Sequence, residues 1–338
     1  MKKGVLLVNL GTPDSPSTKD VRKFLREFLL DPLVVDLPAL SRWLLVNLII
    51  APFRAPKSAQ EYQLLWTKRG SPLKFHSHDL LAKIKTALPQ ELAIEMAMRY
   101  QNPSIAVGLE SLRTQGCDQI LVVPLFPQYA EATNLSVINE VKRQLQVMDW
   151  SVDAEFTDSF PEHKGYIEAI VAAAELQDQP FDHTLFSFHS LPERQLKKLN
   201  SSCLSNDCCA ELSASNENCY RAQCFATARA IAKQLDLTPE QYTVSFQSRQ
   251  GRIPWVQPYT DEVVQQLADS GTQRLCVFSP AFVADCLETN IELGHTYKEL
   301  FLAHGGKSFY LAPCVNSHDL WVKALSDIIL NDDIVHRT

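Results

Sequence analysis

The sequence predicts an α/β protein built from two similar Rossmann-like halves, each a parallel sheet flanked by helices. Three observations carry this. Short apolar, β-branched runs alternate with longer amphipathic stretches from end to end. Two strand-and-turn segments recur at fixed offsets along the chain. At 338 residues, the chain has room for two domains of about 150 residues each.

Taken in order, the strand candidates are residues 5–9, 93–99, 119–125, 184–189, 242–247, 275–279 and 308–311. They are continuously apolar rather than alternating, as strands buried on both faces of a parallel sheet must be. Between them, helical periodicity runs through 77–88, 104–115, 135–147, 222–235 and 261–269. Pro103-Ser104 and Pro192-Glu193-Arg194 mark helix starts.

The recurrence is specific. Phe126, Thr133 and Asn134 match Phe282, Thr289 and Asn290 at one offset of 156, and LLVNLGTP (6–13) resembles LFSFHSLP (185–192) at an offset of 179. The two offsets differ by 23, close to the length of a cysteine-rich stretch at 203–224. The reading is therefore residues 1–158 as one half and 159–338 as the second, with the cysteines on an insertion in the second. Ligands of open α/β sheets bind beyond the carboxyl ends of the strands. That expectation puts a cleft between Gly11-Thr12-Pro13 and His189-Ser190, with one half on either side.

Composition removes several function classes. A net charge of -7 with no basic block argues against nucleic acid as a partner. Glycine is scarce, at 11, and neither GxGxxG nor the P-loop pattern occurs, which argues against a nucleotide cofactor. The opening Met1-Lys2-Lys3-Gly4 runs straight into a short apolar strand, too short for a signal peptide, so a cytoplasmic location is expected. Residues 37–53 are strongly apolar but broken by Arg42, Asn47 and prolines. They read as a buried helix or as a lip lying on the inner membrane surface, not as a span.

Chemistry concentrates in two places. His189 closes an apolar strand. Glu288 and Glu292 stand four apart on one helix face, with Asp285 one turn earlier, just after a strand end. Carboxylates there attract a hard cation or relay protons, and a neutral imidazole opposite them suits a borderline cation such as Fe²⁺. The second place is the C-x4-C-C-x9-C-x4-C run of Cys203, Cys208, Cys209, Cys219 and Cys224. An odd total of nine cysteines fits a disulfide framework poorly. The wide spacing suits Zn²⁺ less well than a [2Fe-2S] cluster held by four of the five thiolates. Adjacent Cys208 and Cys209 cannot easily both reach one cluster, so the favoured set is Cys203, Cys219, Cys224 and one of that pair. Cys117, Cys276, Cys286 and Cys314 read as buried structural thiols.

An ordered set of segments resembles the ferrochelatase family: LVNLGTP (7–13), FLLDPLVVD (28–36), RGSPL (69–73), MRY (98–100), PQY (127–129), SFHSLP (187–192), QSRQGRIPW (247–255) and SPAFVADCLET (279–289). The resemblance covers nearly the whole chain. It implies a lyase that inserts Fe²⁺ into protoporphyrin IX with release of two protons, the last step of haem synthesis. It also implies that His189 and Glu288 act on the pyrrole protons or the incoming metal, in roles left undivided, with Glu292 and Asp285 extending an acidic path. Leu10, Arg99, Trp255 and Phe282 are implied to line the porphyrin pocket, Arg99 as a candidate for hydrogen bonding to a propionate. The sequence departs from the family at Thr296, where some members carry a further carboxylate, and at Leu10, where some carry tyrosine. Some bacterial members carry an internal four-cysteine cluster, which fits the run at 203–224. The alternatives are a coproporphyrin III ferrochelatase, a related cobalt chelatase, and a non-catalytic haem or iron-sulfur sensor.

Overall fold

In the computed structural model, residues 2–176, 180–199, 203–204, 208–251, 253–331 and 335–337 are described. Two compact units emerge. One comprises residues 1–126, 130–159 and 325–338, and the other 127–129 and 160–324.

The first unit is organised on β1 (Lys3–Gly11), β2 (Ala93–Tyr100), β3 (Gln119–Pro124) and β4 (Asp153–Thr157), in the order β2-β1-β3-β4. These four are parallel, with Val5 opposite Ile94 on one side and Leu121 on the other. The chain's tail adds a short antiparallel strand, Val335–Arg337, beside β4. Val5, Leu6, Leu7 and Val8 have no exposed surface, because helices cover both faces of this central strand. Leu6, Val8, Leu109, Leu112, Val122, Val137 and Val141 form one core under helices Ile105–Thr114 and Ser136–Val147. Gly11 ends β1 with φ +109, and a Cβ there would meet the Tyr100 carbonyl at 1.9 Å. Only glycine suits so close a backbone approach.

The second unit repeats the plan with β5 (His183–His189), β6 (Tyr242–Gln247), β7 (Arg274–Phe278) and β8 (Ser308–Leu311). Their order is β6-β5-β7-β8, all parallel. Its core gathers Leu185, Val264, Leu275, Val277, Leu293 and Phe301. The strand orders coincide, β1 with β5 and β3 with β7, which are the segments that recur in the sequence. The likeness extends to a rare feature. Both recurring Thr-Asn pairs lie in π-helical turns, Glu131–Leu135 and Glu288–Tyr297.

The apolar stretch 37–53 forms helix Ala39–Leu44, a π-helical turn Leu45–Ile50 and the start of helix Ala51–Leu65. It is two-sided. Val46, Ala51 and Ala55 are buried, while Leu40, Trp43, Leu48, Ile49 and Phe53 face outward, Phe53 with 79% of its surface exposed. Among the described residues no helix is long and apolar enough to cross a membrane.

Candidate active site

His189 is the last residue of β5 and lies opposite Gln247, the last of β6. Its Nδ1 sits 2.6 Å from the Ser190 carbonyl. A carbonyl can only accept, so Nδ1 carries the proton and Nε2 is left as the basic nitrogen. The backbone around it is held firmly. Ser190 N–H donates to the Gln247 carbonyl at 2.8 Å, Ser190 Oγ donates to the Val256 carbonyl at 2.9 Å, and Tyr220 Oη donates to the His189 carbonyl at 2.8 Å.

Glu288 opens the π-helical turn that follows β7. One turn on, the Glu292 carboxylate is surrounded by donors. Oε1 accepts from Ser248 N–H at 2.9 Å and Tyr297 Oη at 2.8 Å; Oε2 accepts from Gln247 Nε2 at 3.2 Å and from Ser248 Oγ. Burial, reinforced by the Glu292 charge, pushes the Tyr297 phenol well above its ordinary range, so it remains a donor. Ser248 takes φ +67, a left-handed conformation uncommon for serine, and in it aims both N–H and Oγ at this carboxylate.

Gln247 is the hub, and the sequence reading missed it. Its side chain accepts from Ser187 Oγ at 2.7 Å and donates to the Glu288 carbonyl at 3.2 Å as well as to Glu292. Ser187 and Ser245 in turn share Thr260 at 2.9 and 2.8 Å. A strand-end amide looks like ordinary turn chemistry in a sequence. Its one available signal was its place beside Ser248 in QSRQGRIPW.

Asp285 lies before the helix rather than on its face. Its oxygens accept from Cys314 N–H at 3.1 Å and Asn316 Nδ2 at 2.8 Å, and its own N–H donates to Asn316 Oδ1 at 2.9 Å. It therefore ties this loop to the segment after β8. Cys286 and Cys314 are buried, and burial pushes both thiols up, with Glu288 adding to the effect at Cys286 and Asp285 at Cys314.

Of the implied pocket residues, Trp255 Nε1 donates to the Gln250 carbonyl at 2.7 Å, and its backbone bridges to Pro192, just after His189. Phe282 borders a small cavity with Phe278, Pro313 and Cys314. Leu10 packs against the first unit's core. Arg99 is ion-paired to Asp31 at 2.7 Å, and its Nε donates to Ser136 Oγ at 2.7 Å. Asp31 Oδ2 also accepts from Tyr100 Oη at 2.9 Å and Ser136 Oγ at 2.6 Å. This guanidinium is committed to a buried clamp, a partnership that a separation of 68 positions hides from the sequence.

The cysteine run is not a body set apart from the fold. Cys219 is the N-cap of helix Tyr220–Gln234, and Cys224 lies fully buried within it. Cys203 Sγ is 4.0 Å from Cys219 Sγ, Cys208 Sγ is 3.6 Å from Cys209 Sγ, and Arg221 Nη1 approaches Cys209 Sγ at 3.2 Å. A hydrogen bond from Cys209 and the backbone N–H groups of Ala222 and Arg221 pull the Cys219 thiol down to about 6, whereas Cys209 is pushed up. Among the described residues, no group of three or more His, Cys, Asp or Glu side chains is arranged to hold a metal ion. Residues 205–207 of this stretch lie outside the described residues.

A profile of the ferrochelatase family matches residues 2–333. The chain belongs to the ferrochelatase family. It is an enzyme, and its activity is insertion of Fe²⁺ into a porphyrin. The ferrochelatase of Bdellovibrio bacteriovorus is 43% identical over 330 residues, covering 97% of this chain and 98% of that protein. The ferrochelatase of Legionella pneumophila strain Lens is 42% identical over 329 residues, covering 97% and 99%. That of Coxiella burnetii strain Dugway 5J108-111 is 43% identical over 330, covering 96% and 92%. Among solved structures, SirB from Bacillus subtilis with Fe³⁺ superposes with a TM-score of 0.57 at 14% identity, over 97% of this chain and 94% of that one. At that identity the likeness shows a shared fold alone.

Proposed function

We propose that the substrate of this ferrochelatase is protoporphyrin IX and that His189 and Glu288 carry the reaction. The overall change is simple. Fe²⁺ enters the macrocycle, four nitrogens come to hold it, and the two pyrrole N–H protons leave. A group is needed that accepts protons or hands over the metal at the ring centre, close to neutral pH. The observation that carries the assignment is the His189 tautomer, because Nδ1–H is held by the Ser190 carbonyl at 2.6 Å and Nε2 is the basic nitrogen. Glu288, whose carbonyl is fixed by Gln247, supplies an anion for Fe²⁺ or for the departing protons. Glu292, held by four donors, is the next acidic station. Asp285 serves as an anchor of the loop, and Trp255, Phe282 and Leu10 supply apolar surface to the ring. Arg99 contributes as a structural clamp.

A [2Fe-2S] cluster held by four of Cys203, Cys208, Cys209, Cys219 and Cys224 is part of this reading. What supports it is the donor set: the sulfurs of Cys203 and Cys219 at 4.0 Å, those of Cys208 and Cys209 at 3.6 Å, and an Arg221 cation beside Cys209. Soft thiolates suit such a cluster, which would supply structural support or sensing, since metal insertion moves no electrons. The protein works in the cytoplasm, touching the membrane surface through the outward apolar side chains of residues 37–53.

Anaerobic turnover tests the reading. Protoporphyrin IX with Fe²⁺ should outpace coproporphyrin III with Fe²⁺ and protoporphyrin IX with Co²⁺. His189→Ala should fall below about a tenth of wild-type turnover while still binding porphyrin, and Glu288→Gln should lose kcat with little change in porphyrin affinity. Retained turnover in His189→Ala would remove the imidazole from the chemistry. A colourless protein without sulfide would remove the cluster and leave the chelatase standing.

A further inference from the structure

The residue that follows the capping cysteine reaches the other candidate centre. Tyr220 is the first residue of helix Tyr220–Gln234, its side chain is buried, and its hydroxyl donates to the His189 carbonyl at 2.8 Å. On the far side of the same backbone, Ser190 is held by the Gln247 carbonyl and by Val256, and the Ser190 carbonyl is the group that orients the imidazole. The His189–Ser190 peptide is thus clamped between the start of this helix and β6. Residues 219–221 form one turn with two outlets: Cys219 and Arg221 touch the thiols of Cys203 and Cys209, while Tyr220 touches the peptide of His189. The helix is anchored further along by Gln223, whose Oε1 accepts from Tyr129 N–H at 2.6 Å, and by Thr227, which bonds the Pro161 carbonyl at 2.7 Å. A disturbance at the thiols therefore has little room to dissipate down the helix.

We infer that Tyr220 is a positioning residue that sets the direction of the His189 imidazole and makes it answer to the state of the cysteine segment. Hydrogen bonds weaken steeply with misalignment, so a small displacement of the helix start releases the carbonyl and lets the peptide plane turn. The inference rests on the assignment of His189 to the reaction.

The test is a double-mutant cycle on the full chain as isolated anaerobically, using Tyr220→Phe, Cys219→Ser and the pair. Serine is itself a strong helix cap, so the helix survives Cys219→Ser and the change falls on the thiol. Two readouts are taken: the ¹³Cε1 resonance of His189, assigned by its disappearance in His189→Asn, and turnover of protoporphyrin IX with Fe²⁺. Tyr220→Phe should move the His189 resonance and lower kcat by about fivefold with KM for the porphyrin unchanged. Cys219→Ser should also move the resonance, and the double variant should move it no further than Tyr220→Phe alone. An unmoved resonance in Tyr220→Phe, or additive shifts in the double variant, would overturn the inference. Full turnover in His189→Asn would instead overturn the catalytic assignment, and the resonance shifts would still report the coupling.

Discussion

Replacing Gln247 by methionine keeps length and volume but removes every side-chain hydrogen bond of the hub. Three are lost: Ser187 Oγ to Oε1 at 2.7 Å, Nε2 to the Glu288 carbonyl at 3.2 Å, and Nε2 to the Glu292 carboxylate at 3.2 Å. Neutral bonds contribute about 1 kcal/mol net and bonds to a charge about 1.5–3, so the gross loss is about 4 kcal/mol. Two effects offset it. Ser187 has Thr260 at 2.9 Å as a second partner, and Gln247 is only 1% exposed, so the thioether replaces a buried amide with apolar surface. The net destabilisation is about 2–3 kcal/mol. With an m value of about 2.5 kcal/mol/M, the urea midpoint should fall by about 1 M. Freed from Gln247, the Glu288 peptide no longer fixes its side chain. If about 1.4 kcal/mol of positioning is lost from the transition state, kcat falls about tenfold, with KM for the porphyrin little changed. Urea unfolding followed by circular dichroism, beside anaerobic metal insertion, measures both. A midpoint within about 0.2 M of wild type together with unchanged kcat would refute the view of Gln247 as the hub of this site.

Two further outcomes follow from other clusters. Asp31→Asn leaves the Arg99 guanidinium, only 15% exposed, without its counter-charge, so it should destabilise the protein by about 3 kcal/mol. Calorimetry showing a Tm within 1 °C of wild type would contradict this. His183 has its pKa lowered by burial, so the folded protein binds its proton less readily than the unfolded chain. Its contribution to stability is present above the unfolded value near 6.5 and is lost as pH falls below it. The urea midpoint should therefore drop between about pH 7.5 and 5.5, and His183→Gln should flatten that slope; equal slopes would exclude His183.

The sheets were legible in the sequence because strands such as Lys3–Gly11 and Gln119–Pro124 are buried on both faces and so read as apolar, β-branched runs. Tyr242–Gln247 and Ser308–Leu311 coincide with their expected limits. Strand Asp153–Thr157 went unseen because it is short and opens on Asp-Ala-Glu, residues that break the apolar run expected of a buried strand. The π-helical turns were invisible for a different reason: over five to ten residues, apolar periodicity does not separate them from an α-helix. The sequence places His189 at the end of a strand and Glu288 and Glu292 four apart in a helical segment, and the structure has them there. What hid was every partnership across sequence distance: Gln247 with Glu292, Arg99 with Asp31, Tyr220 with His189. Such pairs leave no local pattern, because each partner alone is an ordinary polar residue.

The repeated turns carry a consequence for how the two copies have diverged. At the offset of 156, Ala132 stands where the second copy has Glu288, and Ser136 stands where it has Glu292. The bridges above them correspond too, with Arg99 reaching Ser136 at the end of β2 and Gln247 reaching Glu292 at the end of β6. The same scaffold position thus presents a cation in one copy and a neutral amide in the other. In the first copy the Arg99 guanidinium is paired with Asp31 at 2.7 Å. In the second, a neutral amide meets the Glu292 carboxylate, which lies four positions along the chain from Glu288. The second junction thus carries two carboxylates where the first carries Ala132 and Ser136, so of the two strand ends it is the one equipped to draw a divalent cation.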